Sequence, residues 1–275
     1  MRLVKRPRPR AIPVALTIAG SDPSGGAGAQ ADLKTFAAHR VYGFSAITSV
    51  IAQNSARVGR AVPADPALVA EQIDAVVRQC RPGAIKTGAL GNAAIVAAVV
   101  RTIRRLRLPA PVVDPVLISS SGKRLVDRAG EAAIRSRLIP IARIVTPNVA
   151  EAEALTGIAI GDADASAMRA AARALIAMGS RAVVIKGGHL GASQPALDLF
   201  YDGRRFVELI GERIKGGADV HGTGCAFSAA IAAALARGES LEASVRRAKA
   251  FVTRALRRRI AVGRGRPMLD HLLLF

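Results

Sequence analysis

Short apolar runs alternate with helical stretches along most of the chain. Residues 14–19, VALTIA, end in Gly-Ser-Asp-Pro-Ser-Gly-Gly, and AGAQADLKTFAAH beyond them has helical character. Strand-like runs recur at GFSAITSVIA, GAIKTG, APVVDPV, ARIVTP and AVVIKGG, and helical stretches at 66–79, 91–107, 129–138, 148–156 and 163–178 lie between most of them. Such alternation predicts an α/β fold with a central, mostly parallel sheet flanked by helices on both faces. After IKGG the period changes. ALDLFYDG and RRFVELIG alternate about an Asp-Gly turn and predict a β-hairpin, and two long helices, about 222–237 and 240–259, close the fold. No Gly/Ser-rich or Pro-rich linker breaks the interior, which predicts one domain over 13–275 behind a basic disordered tail at 1–12.

At 275 residues the chain is long enough for one domain to bury roughly three quarters of its unfolded surface. Half of it is apolar, yet Arg, Glu, Lys or Gly interrupts every helical run short of the roughly 18 apolar residues a membrane span needs. Only Cys80 and Cys225 are present, in neither a CxxC nor a Cys/His metal spacing, which argues against a disulfide framework or zinc and for a reducing cytoplasm. The start, MRLVKRPRPR, has charge without an apolar core or cleavage site and does not read as a signal peptide.

The formal charge of +20 is the compositional oddity. Five basic residues fall in the first ten, Arg101, Arg104, Arg105 and Arg107 follow one helix, and Arg254, Arg257, Arg258 and Arg259 end another. Electrostatics of this kind gives non-specific phosphate affinity. Aromatic residues for base stacking are scarce, however, and no recognition-helix, RNP or zinc-finger pattern occurs, so a solvated basic surface is the better reading than a nucleic-acid partner.

Ligands of open parallel sheets bind outside the carboxyl ends of the strands. The polar residues that follow each apolar run are Ser21 and Asp22, Gln53 and Asn54, Lys86 and Thr87, Asp114, Thr146 and Asn148, and Lys186 and His189. Two glycine loops join them. Gly26-x-Gly28-x-x-Ala31 has the strand-to-helix context of a dinucleotide fingerprint, but FSAITSVI at 44–51 lacks the acid that would hold the ribose, and no GxxxxGK[ST] is present. A permissive backbone that admits a small substrate remains.

The second loop, Gly222-Thr223-Gly224-Cys225, precedes a long helix, where consecutive amides and the helix dipole favour an anion such as a phosphate in transfer. Cys225 at that position is expected to have a lowered thiol pKa, whereas Cys80 reads as structural. Asn148 and Glu151 fall three apart at a helix start, on one face, where an amide and a carboxylate can orient a hydrated Mg2+ and its phosphates; Glu151 as a plain first-turn acid is the alternative. Asp114, between two valines and Pro115, needs a partner. Lys186 precedes two glycines, and a flexible loop there would carry its charge to a nucleotide phosphate.

LTIAGSDPSGGAGAQADLKTF, TPNVAEAEALTG, KGGH and HGTGCAFSAAIAAALARG, in that order and spacing, resemble the signatures of the hydroxymethylpyrimidine/phosphomethylpyrimidine kinases of thiamine synthesis, members of the ribokinase-like superfamily. The resemblance spans about residues 14–260. It implies a ribokinase-like fold, transfer of the γ-phosphoryl of ATP with Mg2+ to the substrate hydroxymethyl, in many members a second transfer onto the monophosphate, and commonly a homodimer. By resemblance Gln53, Asp22 and Gly20 serve the pyrimidine, and Gly222, Thr223 and Gly224 form the anion hole. Cys225 is the candidate base, where most ribokinase-like sugar kinases have an aspartate. Lys186, Gly187 and Asn148 serve ATP and its phosphates, and Asp114 and Glu151 the metal. Ala89 stands where the family usually has Met, Lys123 where an acid is usual and Val220 where Thr is common. Two other readings stay open: a pyridoxal kinase of the same superfamily and a non-catalytic pyrimidine-binding protein.

Overall fold

The structure is a computed structural model of the chain and describes residues 11–119, 122–161, 164–188 and 196–272. Residues 1–10 of the expected basic tail, and His189, lie outside the described residues. Among the described residues nine strands form one sheet in the order β3-β2-β1-β4-β5-β6-β7-β8-β9. The inner run is parallel: β1 (Val14–Ser21), β2 (Tyr42–Gln53), β4 (Ala84–Thr87), β5 (Val112–Val113), β6 (Ile144–Val145) and β7 (Val183–Lys186). At one edge β3 (Val58–Pro63) pairs antiparallel with β2, and at the other the hairpin of β8 (Ala196–Tyr201) and β9 (Phe206–Gly211) pairs antiparallel with β7.

Strand residues alternate between two cores, as period 2 requires. Leu16, Ile18, Ile85, Val113, Val145 and Val183 face one layer, built on α2 (Pro66–Gln79), α3 (Ala93–Arg105), α5 (Val149–Thr156) and α6 (Ala165–Ala177). Ala15, Ala84, Val112, Ile144 and Val184 face the other, built on α1 (Gly28–Ala38), α7 (Thr223–Ala236) and α8 (Leu241–Arg257). The helix α7 is buried on almost every side. Alanines at 226, 229, 230, 232, 233 and 234 have no exposed surface, and their small side chains let it approach β1, β4, α1 and α8 together.

Helix starts follow from local chemistry. Asp65 accepts from the amides of Ala67 and Leu68 (2.8 and 3.1 Å) with Pro66 at the first position, so α2 begins where its sequence says. Asn92 caps α3 through the Ile95 amide, and Ser240 caps α8 through that of Ala243. The predicted helices at 66–79, 91–107, 163–178, 222–237 and 240–259 are present within two residues at each end, and the hairpin turns at Asp202–Gly203. The predicted helix at 129–138 is α4 (Arg128–Ala133) followed by a π-helical turn over Ile134–Leu138. Cys80, expected as structural, is exposed at the C-cap of α2.

The edge strand β3 has no counterpart in the apolar pattern. Four of its six residues are exposed, and Gly59 and Pro63 carry turn chemistry. All six parallel strands point their carboxyl ends to one rim, and a cleft of about 980 Å³ opens there.

Candidate active site

Two strand ends and two helix starts meet on the floor of the cleft. Asp114, one residue past β5, is fixed by its amide donating to the Thr87 carbonyl (3.0 Å). Its Oδ1 accepts from Lys186 Nζ (3.2 Å) and Thr146 Oγ1 (3.3 Å), and its Oδ2 from Ser228 Oγ (3.1 Å) on α7. Burial works to raise the pKa of Asp114, but the Lys186 and Lys86 ammonium groups hold it below the usual carboxylate range. Lys186 is the last residue of β7, and its amide donates to the Pro147 carbonyl (2.8 Å). It is therefore a held strand residue, and the expectation of a flexible loop is corrected.

The anion loop faces this pair. Gly222 is the N-cap of α7 at φ +85°, and a methyl group there would lie 1.7 Å from the Gly26 carbonyl oxygen, so only glycine fits. A methyl group on Gly224 would lie 3.1 Å from Lys186 Nζ. The first turn of α7, whose amides at Thr223, Gly224 and Cys225 precede the helical hydrogen-bond ladder, thus lies beside a lysine ammonium, a ready place for an anion.

Asn148 and Glu151 form a reciprocal capping box on α5. The Glu151 amide donates to Asn148 Oδ1 (2.8 Å) and the Asn148 amide to Glu151 Oε2 (2.9 Å). Both side chains still line the cleft, so the first-turn reading and the cleft reading hold together. Burial pushes Glu151 up to about 7, Lys186 pulls it down, and Asp114 adds to the rise.

The thiol of Cys225 departs from its sequence expectation. Part of its surface meets the cleft, yet burial pushes the thiol up to about 11, with Lys86 and the Gly28 amide pulling it down less strongly. The helix start does not overcome desolvation, so the expected lowered pKa is corrected: the resting group is a neutral thiol.

On the other flank, Gly20, Gly28, Ile51, Gln53, Ala89 and Val116 line the cleft. A methyl group on Gly20 would meet Ser49 Oγ at 2.7 Å, and one on Gly28 the Gly20 carbonyl at 2.5 Å, so backbone itself forms the wall. Among the described residues the Gln53 side-chain amide makes no hydrogen bond, leaving a donor and an acceptor for a ligand. Asp22 is corrected. It is fully buried behind the loop and absent from the cleft wall, its carboxylate taken by Ser24, Ala27 and His221. Gly187 is also set back, its amide donating to Asp198 Oδ1 (3.0 Å), while Gly188 lines the cleft with its carbonyl accepting from Arg213 (3.0 Å).

Of the family departures, Ala89 is on the cleft wall, Val220 is buried and Lys123 bonds the Gly59 carbonyl on β3. Sequence reading missed Ser228 and Asp32. Ser228 is three residues past Cys225 and so on one helical face with it, and Asp32 is an acid on the buried side of α1. Asp32 pairs with Lys86 Nζ (2.7 Å), and both are wholly buried.

A ribokinase-like α/β sheet with an amide-lined anion loop, a facing ammonium and paired carboxylates at one rim defines a small-molecule kinase. The description "Phosphomethylpyrimidine kinase" belongs to the family model that matches residues 22–270, and the chain belongs to that family. It is 45% identical over 95% of its length to the hydroxymethylpyrimidine/phosphomethylpyrimidine kinase of Synechococcus elongatus, covering 98% of that protein. It is 42% identical over 94% of its length to the thiamine biosynthesis bifunctional protein of Geobacter sulfurreducens, of which it spans about half (52%). The Staphylococcus aureus pyridoxal kinase, solved with AMP-PCP and pyridoxal, superposes with a TM-score of 0.85 at 33% identity, covering 96% of this chain and 95% of that one.

Proposed function

We propose that the protein transfers the γ-phosphoryl group of ATP, with Mg2+, to the hydroxymethyl oxygen of 4-amino-5-hydroxymethyl-2-methylpyrimidine, and then a second phosphoryl group to the resulting monophosphate, in thiamine biosynthesis. The observation that carries this reading is the placement of Lys186 Nζ between the Asp114 carboxylate (3.2 Å) and the first amides of α7, at the strand ends where a parallel sheet takes its ligands. Phosphoryl transfer needs positioning and charge neutralisation more than covalent chemistry, and this floor supplies both.

The amides of Thr223, Gly224 and Cys225 hold the transferring group, Lys186 neutralises it, and Asn148 shapes the nucleotide side, with Gly187 holding the end of β7 behind it. Gly20 and Gln53 seat the pyrimidine. Asp22 supports the same loop from behind. Asp114 and Glu151 are the carboxylates that would hold the metal. Among the described residues no three Asp, Glu, His or Cys converge to hold an ion alone. Mg2+ ordinarily takes one or two carboxylates with phosphate oxygens and water, so this donor set fits a metal that arrives with the nucleotide and neutralises its phosphates. Cys225 takes the hydroxyl proton late and in its thiolate form, a minor fraction at neutral pH of a thiol that burial pushes up to about 11. The reading includes a cytoplasmic homodimer; Val50 and Val62, cross-strand partners exposed 65% and 51% on the β2–β3 edge, offer apolar surface for it.

Ala89 on the cleft wall and the likeness to a pyridoxal kinase favour pyridoxal as the second reading. Mass detection of products after incubation with Mg-ATP and, separately, the pyrimidine, its monophosphate and pyridoxal decides between them. Mono- and diphosphate from the pyrimidines are expected. Phosphate on pyridoxal alone would overturn the substrate, and no product from any of the three would leave a binding protein.

A further inference from the structure

The buried Asp22–His221 pair, of which only His221 borders the cleft, joins its two flanks. Asp22 Oδ1 accepts from the Ser24 amide (2.9 Å) and hydroxyl (2.7 Å), and Oδ2 from the Ala27 amide (2.8 Å), so this carboxylate gives the loop between β1 and α1 its shape. Its Oδ2 also meets His221 Nε2 at 2.8 Å, 199 residues along the chain. An ionised carboxylate only accepts, so Nε2 carries the proton. Hydrogen bonds from His221 and Ser24 hold Asp22 below the usual range against the burial that works to raise it.

His221 directly precedes Gly222 of the anion loop, and the packing around it leaves no slack. A methyl group on Gly26 would lie 2.6 Å from His221 Cδ2 and 3.4 Å from Met268 Sδ, and Gly222 is pressed on the Gly26 carbonyl. From behind, the His221 amide donates to the Pro267 carbonyl (3.0 Å), and Met268 exchanges backbone hydrogen bonds with Ile260 (2.9 Å each way). Displacement of either loop must therefore move the other or break a buried charge-assisted hydrogen bond.

Resting on the functional reading above, we infer that His221 is a positioning residue that couples the two ligands: through Asp22, filling the pyrimidine flank sets the anion loop, and filling the anion loop sets the pyrimidine flank. Coupling of this kind is reciprocal and amounts to about 5- to 150-fold in typical proteins.

The test is calorimetric titration of the hydroxymethylpyrimidine with and without saturating AMP-PCP. The wild type is expected to bind the pyrimidine about tenfold more tightly when the analogue is present. His221→Leu should bring that ratio to about one while its affinity for AMP-PCP alone stays within about threefold, and His221→Gln, whose amide retains a donor, should recover most of the ratio. A purely structural role would weaken both ligands and leave the ratio intact, which overturns the inference, as does a wild-type ratio of one. Hydrogen exchange on the wild type gives an arm free of folding defects: AMP-PCP alone should slow the Ser24 and Ala27 amides, and protection confined to residues 221–225 counts against coupling. If the wild type binds neither ligand, the functional reading fails and the inference with it.

Discussion

Two lysines stand within the last two residues of strands of the same sheet, each paired with an aspartate, and they have different fates. Lys86 and Asp32 are wholly buried at 2.7 Å, with Thr17 donating to the same carboxylate at 2.6 Å. Lys186 and Asp114 sit at 3.2 Å, the lysine side chain is 15% exposed, and its ammonium borders the open amides of α7. The first pair has no exposed surface, and its ammonium acts on Asp114 and Cys225 from within the protein. The second has unused valence directed at a place where phosphate fits. Charge at a strand end is therefore not enough to define a site; the partner set decides whether the charge is spent inside the protein or offered to a ligand.

Exchanging the lysines for methionine breaks this comparison most directly. Lys186→Met should lower kcat about a thousandfold, as loss of a preorganised transition-state contact does, with a smaller stability loss than the other exchange because Asp114 keeps the Thr146 and Ser228 hydroxyls. Lys86→Met should show the reverse emphasis, a loss of about 3–5 kcal/mol in stability, because it leaves a buried carboxylate unpaired. Steady-state kinetics and urea denaturation of the two variants check this, and matched losses in both measurements would erase the distinction.

Cys225 sharpens it, since Lys86 lies near enough to lower a thiol that burial pushes up to about 11. A base works unprotonated, so a rate limited by this thiol should climb about tenfold per pH unit through the neutral range. Cys225→Ala should lose about a hundredfold in kcat and flatten the profile. Wild-type turnover that is level from pH 7 to 9 would show the hydroxyl proton leaving by another route.

The smallest effect lies beside Lys186. Glu151 is raised from 4.5 to about 7, so between those values the folded state holds a proton that the unfolded chain has released. Stability should therefore fall as pH rises through that window, by a few degrees in Tm, roughly. Glu151→Gln should remove the slope. Asp114, lowered from 3.8, acts oppositely: its contribution is present above that value and is lost as pH falls through its folded pKa. Thermal scans from pH 4 to 8 separate the two.

Much of this was legible in the sequence, and the parts that were not share a cause. α2 could be placed to the residue because Asp65, Pro66 and an apolar period agree locally, and the hairpin because its turn and alternation agree. β3 escaped because an edge strand facing water owes its form to β2 rather than to its own apolar pattern. The glycine loops, Lys186, Asp114 and Gln53 were readable as strand-end chemistry and by resemblance. The thiol pKa of Cys225 and the direction of the Asp22 carboxylate were not. Both depend on burial and on neighbours such as His221 and Lys86 that are distant along the chain.

The contact of Gly222 with Gly26 has a consequence in the time order of synthesis. The two loops that meet there are made by opposite ends of the chain, and the Asp22–His221 bond spans 199 residues. A growing chain therefore holds the first loop, α1 and most of the sheet well before the segment that locks them has left the ribosome. Closing so long a span is slow beside local helix formation. The anion loop is thus made late, and an interrupted chain that ends before α7 should have no turnover and a sheet bare of the α7–α8 layer on one face.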